Sequence, residues 1–128
     1  MMVADTDVLI DALHGRDPAR ARIQLELGTG RLATTAVTVF ELLSGARGER
    51  SRQRIETLLE ALTVLPLDPE ASRRAAEIRT ALEASGQGIG MADYLIAGIC
   101  VSRDHMLITR NLKHFGRVPG ISLATLAS

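Results

Sequence analysis

The chain reads as an α/β protein with a mainly parallel five-stranded sheet flanked by about seven helices in a three-layer sandwich. Three observations predict this. Five short apolar runs are spread through the sequence, residues with helical patterning fill the gaps between them, and the apolar complement is Leu, Ile, Val and Ala with few aromatics.

The first strand is expected over 2–4, followed by helices over 6–13 and 18–27. Pro18 suits a first helical turn, and Asp17 before it suits an N-cap. A second strand over 31–34 leads into helices over 36–46 and 50–60. The third, over 62–65, leads into a helix over 69–84 that repeats the cap-and-proline signal with Asp68 and Pro69. Ser85-Gly86-Gln87-Gly88-Ile89-Gly90 then breaks the chain. The helix that follows, over 90–102, is apolar almost all round through Leu95, Ile96, Ala97, Ile99, Cys100 and Val101, which makes it central. A fourth strand over 106–109, a short helix capped by Asn111 and a weaker fifth strand over 121–123 complete the order. The glycines at 86, 88 and 90 follow a helix rather than a strand, which excludes a dinucleotide-binding turn.

A length of 128 residues suits one domain, 1–128, large enough to bury a real core, and the 46% hydrophobic content is far from that of a disordered chain. Fifteen basic and fifteen acidic residues cancel, so any nucleic-acid contact must be local rather than driven by a global positive field. All the cations but Lys113 are Arg, a bias that suits bidentate phosphate recognition and equally suits a GC-rich genome. The lone Cys100 has no disulfide partner and fits a reducing cytoplasm. Neither a leader-like N-terminus nor an apolar run of spanning length is present, so a soluble, unprocessed protein without a membrane role is expected.

Three acids stand in apolar surroundings: Asp5 after Val3-Ala4, Glu41 between Phe40 and Leu42-Leu43, and Asp93 within Met91-Ala92-Asp93-Tyr94-Leu95-Ile96. A buried ionised carboxylate without a partner costs several kcal/mol or more. Each has a structural reading. Asp5 can cap the helix from Thr6, with Asp7 complementing its dipole; Glu41 can close a capping box from Thr38; Asp93 can complement a helix N-terminus. A helix capped instead by Thr35 puts Glu41 nearly two turns in, where capping cannot use it.

All three lie where helices follow strands, so they can meet at one sheet edge, with repulsion on the order of 4 kcal/mol per close pair at intermediate dielectric. A divalent cation reverses that sign, and an all-oxygen carboxylate set suits Mg2+ or Mn2+ rather than zinc. After the fourth strand, Thr109 and Asn111 can orient water or carboxylates, or cap the short helix; Arg110 and Lys113 can hold phosphate, or be solvated. The run Arg47-Gly48-Glu49-Arg50-Ser51-Arg52-Gln53-Arg54 reads as an exposed face with intrahelical pairs to Glu49 and Glu56, or as a phosphate contact. His14 and His105 fall in surface or loop positions with no nucleophile to serve.

Four blocks in order, Val3-Ala4-Asp5-Thr6-Asp7-Val8-Leu9-Ile10-Asp11, Glu41-Leu42-Leu43-Ser44-Gly45-Ala46, Gly90-Met91-Ala92-Asp93-Tyr94-Leu95-Ile96-Ala97 and Leu107-Ile108-Thr109-Arg110-Asn111-Leu112-Lys113-His114-Phe115, span the chain. In them it resembles the PIN-domain ribonuclease toxins of the VapC type. The resemblance implies a PIN-like sandwich and a Mg2+- or Mn2+-dependent endoribonuclease whose cation is held by Asp5, Glu41 and Asp93. Thr6 and Thr109 would shape the site, and the products would carry 5′ phosphate and 3′ hydroxyl ends. It also implies an RNA substrate, a cognate VapB-type antitoxin and a homodimer. The family often has a fourth acid where this chain has Asn111 or His114, which leaves a second cation open. Asp7, beside Asp5, is the acid that could stand in its place. Two rivals stand beside this reading: a receiver-like signalling domain, which needs a phosphate-accepting Asp at the end of the third strand, and a catalytically weak PIN-fold binding protein.

Overall fold

The computed structural model describes residues 1–126. It contains β1 (Met2–Ala4), α1 (Thr6–Leu13), α2 (Ala19–Gly28), β2 (Leu32–Thr35), α3 (Ala36–Ser44), α4 (Glu49–Glu60), β3 (Thr63–Leu65), α5 (Pro69–Ala84), α6 (Met91–Ser102), β4 (Met106–Ile108), α7 (Leu112–Phe115) and β5 (Ser122–Ala124). These are the five strands and seven helices expected, with ends displaced by one or two residues. The strand order is β3-β2-β1-β4-β5, and every pairing is parallel. From β1 the chain builds outward through β2 and β3, then returns to place β4 on the other side. The crevice at the carboxyl ends of β1 and β4 is therefore a topological switch point, where open α/β sheets place ligands.

Alternation along the strands builds the layers. Val3, Ala33 and Leu107 point to one face, under α5 and α6, in a core with Ile78, Ile96, Cys100 and Phe115. Their neighbours Ala4, Leu32 and Ile108 point to the other, with Leu9, Ile23, Leu42 and Ile55 from the helices there. The near-continuous apolar sequence of α6 has its reason here, since Ile96, Ala97, Gly98, Ile99 and Cys100 are all buried. Gly98 marks the closest approach of α6 to α5, where an added Cβ would lie 2.5 Å from the Ala71 carbonyl oxygen. No helix among the described residues is long and apolar enough to cross a membrane.

The cap-and-proline signal holds in full at α5. Asp68 accepts from the Ala71 amide at 2.8 Å and Pro69 opens the helix. Asp68 also meets Arg103 at 3.1 Å, tying the start of α5 to the end of α6. At α2 the signal is shifted: Pro18 stands at the cap position, before the helix begins at Ala19, while Asp17 still accepts from the Ala21 amide at 3.1 Å. Asp68→Ala removes both the cap and the Arg103 contact, and it should lower unfolding free energy by about 1–2 kcal/mol, read from the denaturant midpoint.

Candidate active site

Asp5 is both a helix cap and a buried acid at the end of the central strand. Its backbone is extended (φ −70°, ψ 159°), Oδ1 accepts from the Thr6 amide at 2.7 Å, and Oδ2 accepts from the Thr109 hydroxyl at 2.8 Å. Only 4% of the residue is exposed. Burial pushes its carboxyl up to about 6; the Thr109 and Thr6 hydrogen bonds pull the other way, and the charges of Asp7 and Asp93 add to the rise. The Thr109 hydroxyl also accepts from the Asn111 amide at 2.9 Å, so one side chain fixes both Asp5 and the loop after β4.

Glu41 owes its place to Thr35, not to a capping box. Thr35 caps α3, accepting from the Thr38 amide at 3.1 Å, which sets Glu41 nearly two turns into the helix. Its Oε1 accepts from the Thr6 hydroxyl at 2.7 Å. The Thr38 hydroxyl lies 2.9 Å from that of Thr6 and 3.3 Å from that of Thr35. A hydroxyl carries one proton and a carboxylate only accepts, so the Thr6 proton goes to Glu41 and Thr38 supplies its own to Thr6. The result is a hydroxyl chain, with Thr35 and Thr38 fully buried, that ties Glu41 to Thr6, the residue after Asp5.

Asp93 sits in the first turn of α6, whose N-cap, Gly90, offers no side chain. Burial raises its carboxyl above the ordinary range; His114 opposes this, while Glu41 and Asp7 reinforce it. Asp93 adds to the rise at Asp5, and Glu41 to the rise at Asp93, so the acids that follow β1 and lie on α3 and α6 share one field. His114 Nδ1 is 3.7 Å from Asp93 Oδ2 and 3.0 Å from Asn111 Nδ2. Asn111 caps α7, its Oδ1 accepting from the His114 amide at 3.4 Å. The capping reading of Asn111 is thus realised, at a place bordering the acids.

The two cations predicted near phosphate differ. Arg110 reaches back to α1, 3.1 Å from Asp11 and 3.8 Å from the half-exposed Asp7, whereas Lys113 is exposed and, among the described residues, free of ion pairs. Asp11, only 7% exposed, takes Arg16 as well at 3.6 Å. The sequence gives Asp11 no role and Thr38 only that of a cap; the signal available is an acid and a hydroxyl on helix faces otherwise apolar. The intrahelical pairs expected along α4 are not formed, since no ion pair among the described residues involves Glu49 or Glu56. Asp68, the acid a receiver would need, is spent on a helix cap and Arg103.

Chemically, the crevice offers hard oxygen donors and almost nothing soft. The Cys100 thiol nearby is fully buried and pushed up to about 12 by that burial and then by Asp5, so it stays protonated. Among the described residues, no three His, Cys, Asp or Glu side chains are grouped closely enough to hold a metal ion as they stand; Glu41 is bonded to Thr6, Asp5 to Thr109, and Asp93 faces His114. Carboxylates placed this loosely suit a cation that keeps several waters, as Mg2+ does, rather than one that needs a full set of protein ligands.

Comparison with known proteins bears on the family and the fold. The PIN domain family model matches residues 2–121. The tRNA(fMet)-specific endonuclease VapC of Salmonella typhimurium is 32% identical over 123 residues, spanning 93% of this chain and 92% of that protein. Ribonuclease VapC10 of Mycobacterium tuberculosis is 35% identical over 115 residues, 90% and 86% of the respective lengths. In solved structures, the DNA-bound VapBC of Salmonella typhimurium has a chain that superposes with a TM-score of 0.84 at 28% identity, covering 98% of both.

Proposed function

The chain belongs to the PIN-domain family, among its VapC-type ribonuclease toxins, and from that premise we propose that it is a Mg2+- or Mn2+-dependent endoribonuclease of one domain, 1–128, acting in the cytoplasm. The observation that carries this reading is the shared field of Asp5, Glu41 and Asp93 at the switch point of the sheet. These three carboxylates would hold the cation. When bound, it supplies a water of lowered pKa and stabilises charge developing on the phosphate and the leaving 3′ oxygen.

The remaining work falls to the chain's own groups. Thr109 and Thr6 keep Asp5 and Glu41 from collapsing onto other partners, so the site is ordered before substrate arrives. Asn111 would orient water through its amide or steady His114, and Lys113, with Arg110 if released from Asp11 and Asp7, would contact phosphate. One cation is the reading favoured by the residues present, because Asn111 and His114 stand where a fourth acid would be. A VapB-type antitoxin is the expected inhibitor, in keeping with the VapBC complexes of its relatives, and the toxin itself is expected to pair as a homodimer.

Purified protein should cut single-stranded RNA in Mg2+, stop on chelation, and leave 5′ phosphate ends that ligate without prior phosphorylation. Asp93→Asn should lose more than about 100-fold in kcat/KM, beyond what removal of an outer-shell partner costs, with an unchanged circular dichroism spectrum. A folded Asp93→Asn protein that cuts at the wild-type rate would remove Asp93 from the catalytic set, whereas folded wild-type protein that binds RNA without cutting it would favour the binding-protein reading.

A further inference from the structure

Beside the acids lies a cavity that the chemistry does not use. It measures about 160 Å3 between α1, α3 and α4, and Glu41 forms one wall. The floor is apolar, from Leu13, Leu42, Ala46 and Ile55, and the rim is polar, from His14, Ser51 and Arg54. Arg54 donates from Nη2 to the Leu13 carbonyl, lacing α4 to the end of α1 across that rim. Next to it a shallower groove is lined by Arg50 and Arg54, four residues apart on one face of α4, with Leu13 and Leu58. No ion pair among the described residues involves Arg47, Arg50 or Arg54, which leaves their charge to an outside partner.

We infer that this cavity receives one unpaired nucleobase of the RNA, next to the scissile phosphate, while Arg50 and Arg54 hold the phosphates of the same strand. The inference rests on the nuclease reading and adds where substrate selection occurs. Three features argue for that occupant. Glu41 is shared, so a group seated in the cavity is continuous with the reacting phosphate. An apolar slot edged by His14, Ser51 and Arg54 matches a flat base whose edge carries donors and acceptors, which is how single-stranded RNA is read. The arginine row complements a polyanion, and stacking aromatics are too few in this chain to read bases another way.

The test is a mapped RNA substrate with an abasic residue placed in turn at each position flanking the cut, cleaved by the wild-type protein. One position should lower kcat/KM by about ten-fold or more, the scale of a lost base contact. Ala46→Leu and, as a second filling variant at the rim, Ser51→Leu should weaken cleavage of intact RNA and erase the sensitivity at that position, while Mg2+-dependent cleavage persists. Arg50→Ala should raise KM and flatten the dependence of log KM on log salt by about 0.7, the value for one phosphate on a single strand. A flat abasic profile with active enzyme, or a sensitivity that both filling variants leave intact, overturns the inference, as it would if a partner peptide filled the cavity. Absence of cleavage of intact RNA overturns the nuclease reading and this inference together.

Discussion

Asp5→Asn is expected to abolish RNA cleavage, by more than about 100-fold in kcat/KM, and at the same time to raise the melting temperature of the cation-free protein at pH 7.5. Both effects come from one carboxylate. In the folded chain its pKa is raised from 3.8 to about 6. A raised value means that the protonated form is favoured by folding. The stability this group contributes is fully present below pH 3.8 and is lost as pH rises through about 6. The ionised state at pH 7.5 therefore costs about 3 kcal/mol relative to the acid form, an upper limit on what Asn can recover. Asn keeps an oxygen for the Thr6 amide and carries no charge at any pH. The melting difference between variant and wild type should thus be positive above pH 6 and shrink toward zero near pH 4. Saturating Mg2+ should stabilise the wild type and not the variant, since only a group that binds in the folded state shifts that equilibrium. A variant that is less stable than the wild type at pH 7.5 would contradict the electrostatic account of the site.

Gly98→Ala is expected to be the most destabilising single methyl in the chain. Its Cβ would stand 2.5 Å from the Ala71 carbonyl oxygen, 2.7 Å from Ala75 Cβ and 2.8 Å from the Ala75 amide nitrogen. Backbone atoms of α5 cannot rotate away as a flexible side chain can, so the two helices must separate. Overpacking of this kind costs about 3 kcal/mol, the upper end of its usual range, read by denaturant unfolding. Because Asp93 rides on α6, any surviving folded protein should also lose activity through displacement of that carboxylate. Gly45→Ala is the contrast: its Cβ meets only carbonyl oxygens at 3.3 and 3.9 Å, at a helix end with an ordinary backbone, and a change within about 1 kcal/mol is expected.

The same residues show which parts of this molecule are legible in its sequence. The strands and helices were readable because their signals are local: alternating faces at Val3-Ala4, a cap at Asp68 followed by Pro69, and the unbroken apolar surface of α6. The three acids were readable because each violates its own neighbourhood. What could not be read is contact made across distance in sequence. Thr38 meets Thr6 across 32 positions, and Thr109 meets Asp5 across 104. No periodicity encodes either. Nothing near Arg110 in sequence points to its ion-pair partner Asp11 on the first helix, and among the described residues the α4 acids at 49 and 56 form no ion pair with the arginines beside them. Competing roles also proved compatible in one residue. Asp5 and Asn111 cap helices and border the site, because a helix start placed at a strand's carboxyl end serves both purposes.

The claim that Asp5, Glu41 and Asp93 act together as a cation site is tested most directly by anomalous diffraction from crystals soaked in Mn2+. The account predicts an anomalous peak bounded by these three carboxylates, absent in Asp5→Asn crystals soaked identically. Its contradiction would be crystals soaked at a Mn2+ concentration that supports full RNA cleavage in solution and showing no peak between those carboxylates.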